Sequence, residues 1–439
     1  MADKSIAYLD NNATTAMCKS AIAAMNEWLG EPANPSSTSK AGSEAHKMIE
    51  QSRKFVLAHC HAPNYTVIFT SGASESNCFI IRATVEAYKK LRGITPHVLI
   101  SLVEHKSTIK CCEALKASGQ AEVTYLAPGA SGCIPTSLVT HGIRDNTCIV
   151  SIMAANNELG CVNNLKEIGE IAHSKSVPFH SDFVQVFGKF RINLPANNID
   201  AISASFHKLY GPKGSGILVI NNDLISGYDL QGQISGTQEF GLRGGTENVA
   251  AIAGSIAAMK YAFTNRGAKN AKLCAQREYL LGKLRSKFST KTYRAFLTPV
   301  PAQEPTNETE ARAKKMKEAK ISLVILGPDC KTNKSDSIPT SLPRVLPNTI
   351  LLSVVKADGT TPFCNVRLKN TLDKNGVVVS IGSACNTASP DASHVLDAIH
   401  APDSIKRGVI RISFCDTTTK KELDAFITTF TIAVNAQSG

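Results

Sequence analysis

The chain has 439 residues, 43% of them apolar and 19% charged, which is enough to bury a large core and too apolar for a disordered chain. Its 48 basic and 36 acidic residues leave a net charge of +12, but the basic residues are scattered through amphipathic segments, so a solvated surface is expected rather than a nucleic-acid site. The thirteen cysteines stand singly or as the adjacent Cys111–Cys112, with no CxxC, which argues against a zinc ribbon, a thioredoxin-type pair and a complete disulfide framework.

Free thiols point to a reducing compartment. The start, Met1-Ala2-Asp3-Lys4, has no apolar signal region, and no apolar run approaches the ~18 residues of a membrane span. A cytoplasmic chain with neither membrane nor nucleic acid as a partner is expected.

Over the first 260 residues, short β-rich runs alternate with helical patterns. Strands are predicted at Thr66–Thr70, His97–Ser101, Val123–Leu126, Thr147–Ala154, Pro178–Asp182, Asp200–Phe206 and Gly216–Ile220. Helices are predicted between them at about 74–92, 105–118 and 164–176. This alternation predicts an α/β fold, a mostly parallel seven-stranded sheet covered by helices, with ligands at the carboxyl ends of its strands. Val249, Ile252, Ile256, Met259 and Phe263 form one apolar stripe, predicting a helix over about 247–264. Beyond it, 302–320 and 328–344 are polar, charged or proline-rich, which predicts an exposed, mobile insertion at about 296–345. Strands at Asn348–Val355, Val377–Ile381 and Val409–Phe414, with helices at about 362–374, 390–399 and 418–435, suffice for a smaller α+β domain. The expected division is a large domain over 14–262 and a small one from 1–13 and 263–439.

Several motifs follow predicted strands. Ser71-Gly72-Ala73-Ser74-Glu75-Ser76-Asn77 opens a helix, where exposed amides make an anion site, although plain capping by Ser71 or Ser74 explains it as well. Lys208, in Ser205-Phe206-His207-Lys208, stands just past a strand end, where burial and nearby cations can depress an amine for Schiff-base chemistry. Asp182 ends a strand with Gln185 three residues on; it suits pairing with a protonated ring nitrogen, or helix capping. Glu104-His105 follows a strand, placing a histidine to stack on a ring and move protons, or simply to start a helix. Cys385, in Gly382-Ser383-Ala384-Cys385-Asn386, sits among small residues that leave a sulfur accessible, while one of thirteen cysteines is by default a small apolar residue. Arg411 interrupts an apolar strand, as a carboxylate clamp or an internal salt bridge.

The order and spacing of these motifs resemble the NifS-like cysteine desulfurases, class V aminotransferases of the fold-type I pyridoxal-phosphate enzymes. The resemblance runs from Tyr8-Leu9-Asp10-Asn11-Asn12, Asn34-Pro35, Asn156-Asn157-Glu158 and Arg243-Gly244-Gly245-Thr246 through the motifs above, and covers nearly the whole chain outside 296–345. It implies that Lys208 carries pyridoxal 5′-phosphate (PLP), that Asp182 bonds the pyridine nitrogen, and that His105 stacks on the ring and shuttles protons. It places Gln185 and Asn157 by the phenolic oxygen. It assigns the phosphate to Ala73, Ser74, Ser205 and His207, with Thr246 reaching in from the other subunit of a homodimer. Arg411 with Asn34 and Asn12 would hold the carboxylate of L-cysteine, and no metal is expected. Cys385 would take the substrate sulfur as a persulfide and deliver it to an acceptor protein, as in iron–sulfur cluster or thio-cofactor assembly, leaving L-alanine.

The chain departs from the family pattern in carrying Phe183 and Phe206 where small residues are usual, expected to crowd the cofactor if either faces it. With Ala436-Gln437-Ser438-Gly439 soon after the last predicted helix, it is also expected to lack the C-terminal extension that bacterial housekeeping members use to dock a scaffold, which leaves the acceptor open. Two alternatives stand beside the desulfurase: a β-lyase relative acting on selenocysteine, and a weakly active PLP-binding interaction protein.

Overall fold

The computed structural model describes residues 7–297, 321–328, 344–356, 361, 363–382 and 393–437. A short β1 (Ala7–Tyr8) leads into α1 (Lys19–Leu29) and α2 (Lys40–His59). Strands and helices then alternate through β2 (Tyr65–Thr70), α3 (Ala73–Arg92), β3 (His97–Ser101), α4 (Lys106–Ala117), β4 (Glu122–Leu126), α5 (Thr136–Gly142), β5 (Thr147–Ser151) and α6 (Leu165–Ser174). Next come β6 (Phe179–Asp182), β7 (Ala201–Ser205), β8 (Gly216–Asn221), α7 (Asn222–Tyr228), α8 (Val249–Phe263) and α9 (Arg266–Lys287). The rest comprises β9 (Ser289–Thr292), α10 (Tyr293–Leu297), β10 (Ile321–Leu326), β11 (Thr349–Lys356), α11 (Asn365–Lys374) and β12 (Val377–Val378). It ends with α12 (His394–Ala398), α13 (Asp403–Lys406), β13 (Val409–Ser413) and α14 (Lys420–Asn435).

The seven predicted strands form one sheet in the order β2-β8-β7-β6-β5-β3-β4, parallel except for β8, which runs antiparallel to both its neighbours. Both faces are covered, and the strand period of two divides the side chains between them. In β3, Val98 and Ile100 pack with Ile80 of α3 and Cys111 of α4, while Leu99 joins the cluster of Val56 of α2 and Ile252 of α8. The stripe on α8 buries as predicted, but its small-residue side is buried too: a Cβ on Gly254 would stand 2.4 Å from Met25 of α1.

A second sheet, in the order β13-β11-β10-β9, lies over Leu280 and Leu284 of α9, Leu368 and Leu372 of α11, and Phe426 and Phe430 of α14. The expected insertion over 296–345 is therefore interrupted by an integral strand: β10 pairs with β11 and β9, and Leu323 and Val324 are fully buried. Its six apolar-rich residues escape notice because charged and proline-rich stretches flank them. The stretches 298–320 and 329–343 lie outside the described residues.

The N-terminal strap ties the two sheets together. Ala7 and Tyr8 pair in parallel with Val377 and Val378, the Asn11 N–H donates to the Ser413 carbonyl at 3.0 Å, and Thr15 N–H donates to the His207 carbonyl at 2.9 Å.

Candidate active site

Strand direction makes the site. The C-terminal ends of the parallel strands share one edge of the sheet, so Asp182 at the end of β6, Lys208 after β7, His105 after β3 and Asn157 after β5 are brought there from distant sequence. The Lys208 Nζ donates to the carbonyls of Asn12 and Ala13 in the strap, each at 2.6 Å. The Gln185 Nε2 shares the Asn12 carbonyl at 3.3 Å, and the buried Gln185 Oε1 has no protein partner among the described residues.

Asp182 is held by two donors, Asn77 Nδ2 on Oδ2 at 2.8 Å and its own turn's Val184 N–H on Oδ1 at 2.9 Å. Asn77 also donates to Ser107 Oγ at 3.1 Å, and Ser107 in turn bonds His105 Nδ1 at 2.8 Å. The Ser107 N–H donates to the same Nδ1 at 3.2 Å, which puts the ring proton of neutral His105 on Nε2. Burial holds the His105 pKa below its ordinary value, reinforced by Lys208, His394 and Lys106 against the raising effect of Asp182. His207 is pushed down to about 4 by burial and by Lys208 and Lys213, and its Nδ1 lies 3.1 Å from Thr14 Oγ1.

The start of α3 removes the capping reading of its sequence. Neither Ser71 nor Ser74 caps it; Gly72 stands at the cap position without a side chain to offer, and the Ser71 N–H is taken by Glu75 Oε2 at 2.8 Å. Gly72 and Ser205 are neighbours there: a Cβ on Gly72 would lie 3.8 Å from Ser205 Oγ. Ala73 is buried and Ser74 exposed in this first turn.

Three sites of the expected substrate clamp fare differently. Arg411 is 1% exposed and paired with Asp10 Oδ1 at 2.6 Å; its Nη1 donates to the Asn157 carbonyl at 3.2 Å, and its buried Nε has no partner among the described residues. Asn12 donates through Nδ2 to the Asn157 carbonyl and Thr349 Oγ1, and accepts from Asn348. Its amide is thus a brace inside the protein, between the strap and Asn157, Thr349 and Asn348. Asn34 is exposed, its Oδ1 accepting from the Ser36 N–H at 3.0 Å, and it shares no described hydrogen bond with the rest of the set; nor does the exposed Thr246. Cys385 lies outside the described residues.

The model for class-V aminotransferases matches residues 7–324. The chain belongs to that family. A cysteine desulfurase IscS from Clostridium botulinum is 32% identical over 419 residues, 95% of this chain and 91% of that one. A solved NifS-like protein superposes with a TM-score of 0.77 at 27% identity, covering 98% of this chain and all of that one. SspA in complex with cysteine gives 0.67 at 30% identity, over 94% of this chain and 99% of that one. These relatives put the chain on the NifS-like cysteine desulfurase branch of the class-V aminotransferases, which are PLP-dependent enzymes.

Against the family pattern, Phe183 and Phe206 are each 1% exposed and belong to the core cluster that includes Ile252, Ile256 and Met259 of α8. Asp182 turns to Asn77 of α3, so Phe183, the next residue, turns to the other face of the sheet. A Cβ on Gly211 would stand 2.8 Å from Phe206 Cβ and 3.3 Å from Ala258, placing Phe206 under α8. The expected crowding of the ring by these two side chains is replaced by core packing. Asn77, Ser107 and Thr15 support the site without having been singled out in the sequence. The available signal was polarity on a buried face: Asn77 is 0% exposed beside Phe79 and Ile80.

Proposed function

We propose that this family member converts L-cysteine to L-alanine with PLP held on Lys208, and that Cys385 receives the sulfur as a persulfide for an acceptor protein. The observation that carries this reading is the meeting, at one sheet edge, of the Lys208 amine, a doubly oriented Asp182 carboxylate and a neutral His105. The residues present fit the cofactor: a buried Gln185 Oε1 without a protein partner, an uncapped helix start beside Ser205, and a carboxylate fixed at a strand end. Ala73, Ser74, Ser205 and His207 would hold the phosphate, Asp182 the pyridine nitrogen, and Gln185 with Asn157 the phenolic side. Bound there, PLP supplies a sink for the electrons released when the substrate Cα–H bond breaks.

The protein's own groups do the rest. The Lys208 amine takes and returns the proton at the substrate Cα. His105 carries a proton on Nε2 for transfer, and Asp182 holds one on the ring nitrogen. Arg411 offers the carboxylate its guanidinium, with Asn34. Cys385 Sγ bonds to the substrate sulfur as the Cβ–S bond breaks, and the electron pair of that bond stays with the carbon fragment that becomes alanine. A homodimer, with Thr246 at the partner's phosphate, belongs to the same proposal, as does a cytoplasmic location, for which the free cysteines among the described residues speak.

The deciding experiment incubates PLP-loaded protein with L-cysteine and measures alanine and protein-bound persulfide together. Wild type is expected to form both; Lys208→Ala is expected to lose borohydride-fixable PLP, and Cys385→Ser to keep PLP yet form no persulfide. Persulfide in the Cys385→Ser protein, or fixable PLP in Lys208→Ala, overturns the assignment. A greater yield of selenide from selenocysteine than of sulfur from cysteine would move the substrate to the selenium compound.

A further inference from the structure

Directly beneath the site, α3 and α4 bring two thiols together. Cys78 follows Asn77 on α3, and Cys111 stands one turn after Ser107 on α4. Cys111 is 3% exposed, and the half-buried Cys78 packs on the same apolar cluster. The Cys78 Sγ donates to the Ser107 carbonyl of α4, one turn before Cys111, at 3.7 Å, and the Cys111 thiol favours the charged form of Cys78.

We propose that Cys78 and Cys111 are an oxidisable pair that low-molecular-weight disulfides of the glutathione class close into a disulfide. The surface-facing thiol is the nucleophile: the Cys111 thiol, helped by Arg82, outweighs burial and lowers Cys78 to about 7. Its neighbour Cys78 and burial push Cys111 up, so it stays a thiol until Cys78 has reacted; with Cys78 bound to the oxidant that interaction is gone, and Cys111 can lose its proton and resolve the adduct. Cys78 thiolate attacks one sulfur of the oxidant, the oxidant's S–S bond breaks and one thiolate leaves. Cys111 then gives its proton to the thiolate already released, attacks Cys78 Sγ as a thiolate, and expels the second thiolate, which takes up the proton that Cys78 first gave to solvent. Two protein thiols are oxidised and one external disulfide is reduced to two thiols.

The consequence lies one residue away. Asn77 ties Asp182 to Ser107, and Ser107 orients His105, so a covalent bond drawn between α3 and α4 at Cys78 and Cys111 disturbs both groups. The cross-link is independent of the proposed function, whereas its effect on PLP rests on that reading.

The test treats PLP-loaded full-length protein with glutathione disulfide, blocks remaining thiols in acid and maps linked peptides by mass spectrometry without reduction. A Cys78–Cys111 link is expected in wild type and in Cys112→Ser. Cys111→Ser is expected to trap Cys78 as a glutathione adduct, and Cys78→Ser to leave Cys111 reduced. Cys78 held as a lasting adduct in wild type, a link to another cysteine, or no reaction at Cys78 overturns the pair. In the oxidised protein PLP is expected to bind about tenfold more weakly, the loss of roughly one hydrogen bond to a charged group, with recovery on reduction and no change in Cys78→Ser. An intact link with unchanged PLP binding would overturn the coupling to Asp182 while leaving the pair standing.

Discussion

Glu104, the residue before His105, shows how a site can be charged with strain at a single carboxyl. Its Oε1 accepts from Ser101 Oγ at 2.5 Å and from the Met153 N–H at 2.8 Å, while its buried Oε2 has no partner among the described residues. Burial pushes its pKa up to about 8, against those two bonds and with help from Asp182. The folded state therefore favours the protonated acid: its contribution is complete below the ordinary glutamate range and is lost as pH rises through about 8. His97 and His207, lowered to about 4, and His180, lowered to about 3, act with the opposite sign, losing stability as pH falls from the ordinary histidine range through those values. The comparison with Glu104→Gln isolates the acid: in urea unfolding, the stability of wild type relative to the variant should fall steadily between pH 5 and pH 8. A difference independent of pH would contradict the assignment. The two phenylalanines give a second test at this scale. Phe183→Ala and Phe206→Ala should each cost about 3–5 kcal/mol in unfolding experiments, without tightening PLP; tighter binding would mean that the rings do face the cofactor.

The elements divide into those with a clean period and those without. Most of the seven strands, with α3, α4, α6 and α8, are legible because each buries an apolar run or stripe; β4, which buries only Leu126, and β6, which buries His180, Ser181 and Asp182 with Phe179, are the exceptions. Helix α2 is not, since buried Ser52 and Arg53 stand among Ala45, Ile49 and Val56 on its inner face. The same ambiguity hides half of the site: Lys208, Asp182 and His105 announce themselves by following strands, whereas Asn77 and Ser107 are residue types that serve equally as caps. Packing between elements predicts where PLP retention is vulnerable from outside the site. A Cβ on Gly216 of β8 would fall 2.5 Å from Gly72 Cα and 2.7 Å from Gly72 C, backbone that opens α3. Gly216→Ala should destabilise the protein by about 1–3 kcal/mol and weaken PLP, measured by equilibrium dialysis. Normal PLP affinity in the variant would show that the start of α3 does not touch the phosphate.

Across the whole molecule, the two large sheets follow one another in the chain and are tied together by the N-terminal strap. Excising 300–345 as a block should abolish cooperative unfolding, because it removes β10 from between β9 and β11; a deletion protein with an unchanged thermal transition would show that β10 is dispensable. The strap's ties bear on synthesis. Ala7 pairs with Val377, and Asn11 and Asn12 bond Ser413, yet the carbonyls of Asn12 and Ala13 are what hold the Lys208 amine. A ribosome makes these anchors first and their partners almost last, so contacts spanning about 400 residues close only when translation is nearly done. Until then the lysine stands at its strand end without its two carbonyl tethers. The tethers of the lysine amine thus depend on a strap whose own anchors are among the last residues to be synthesised.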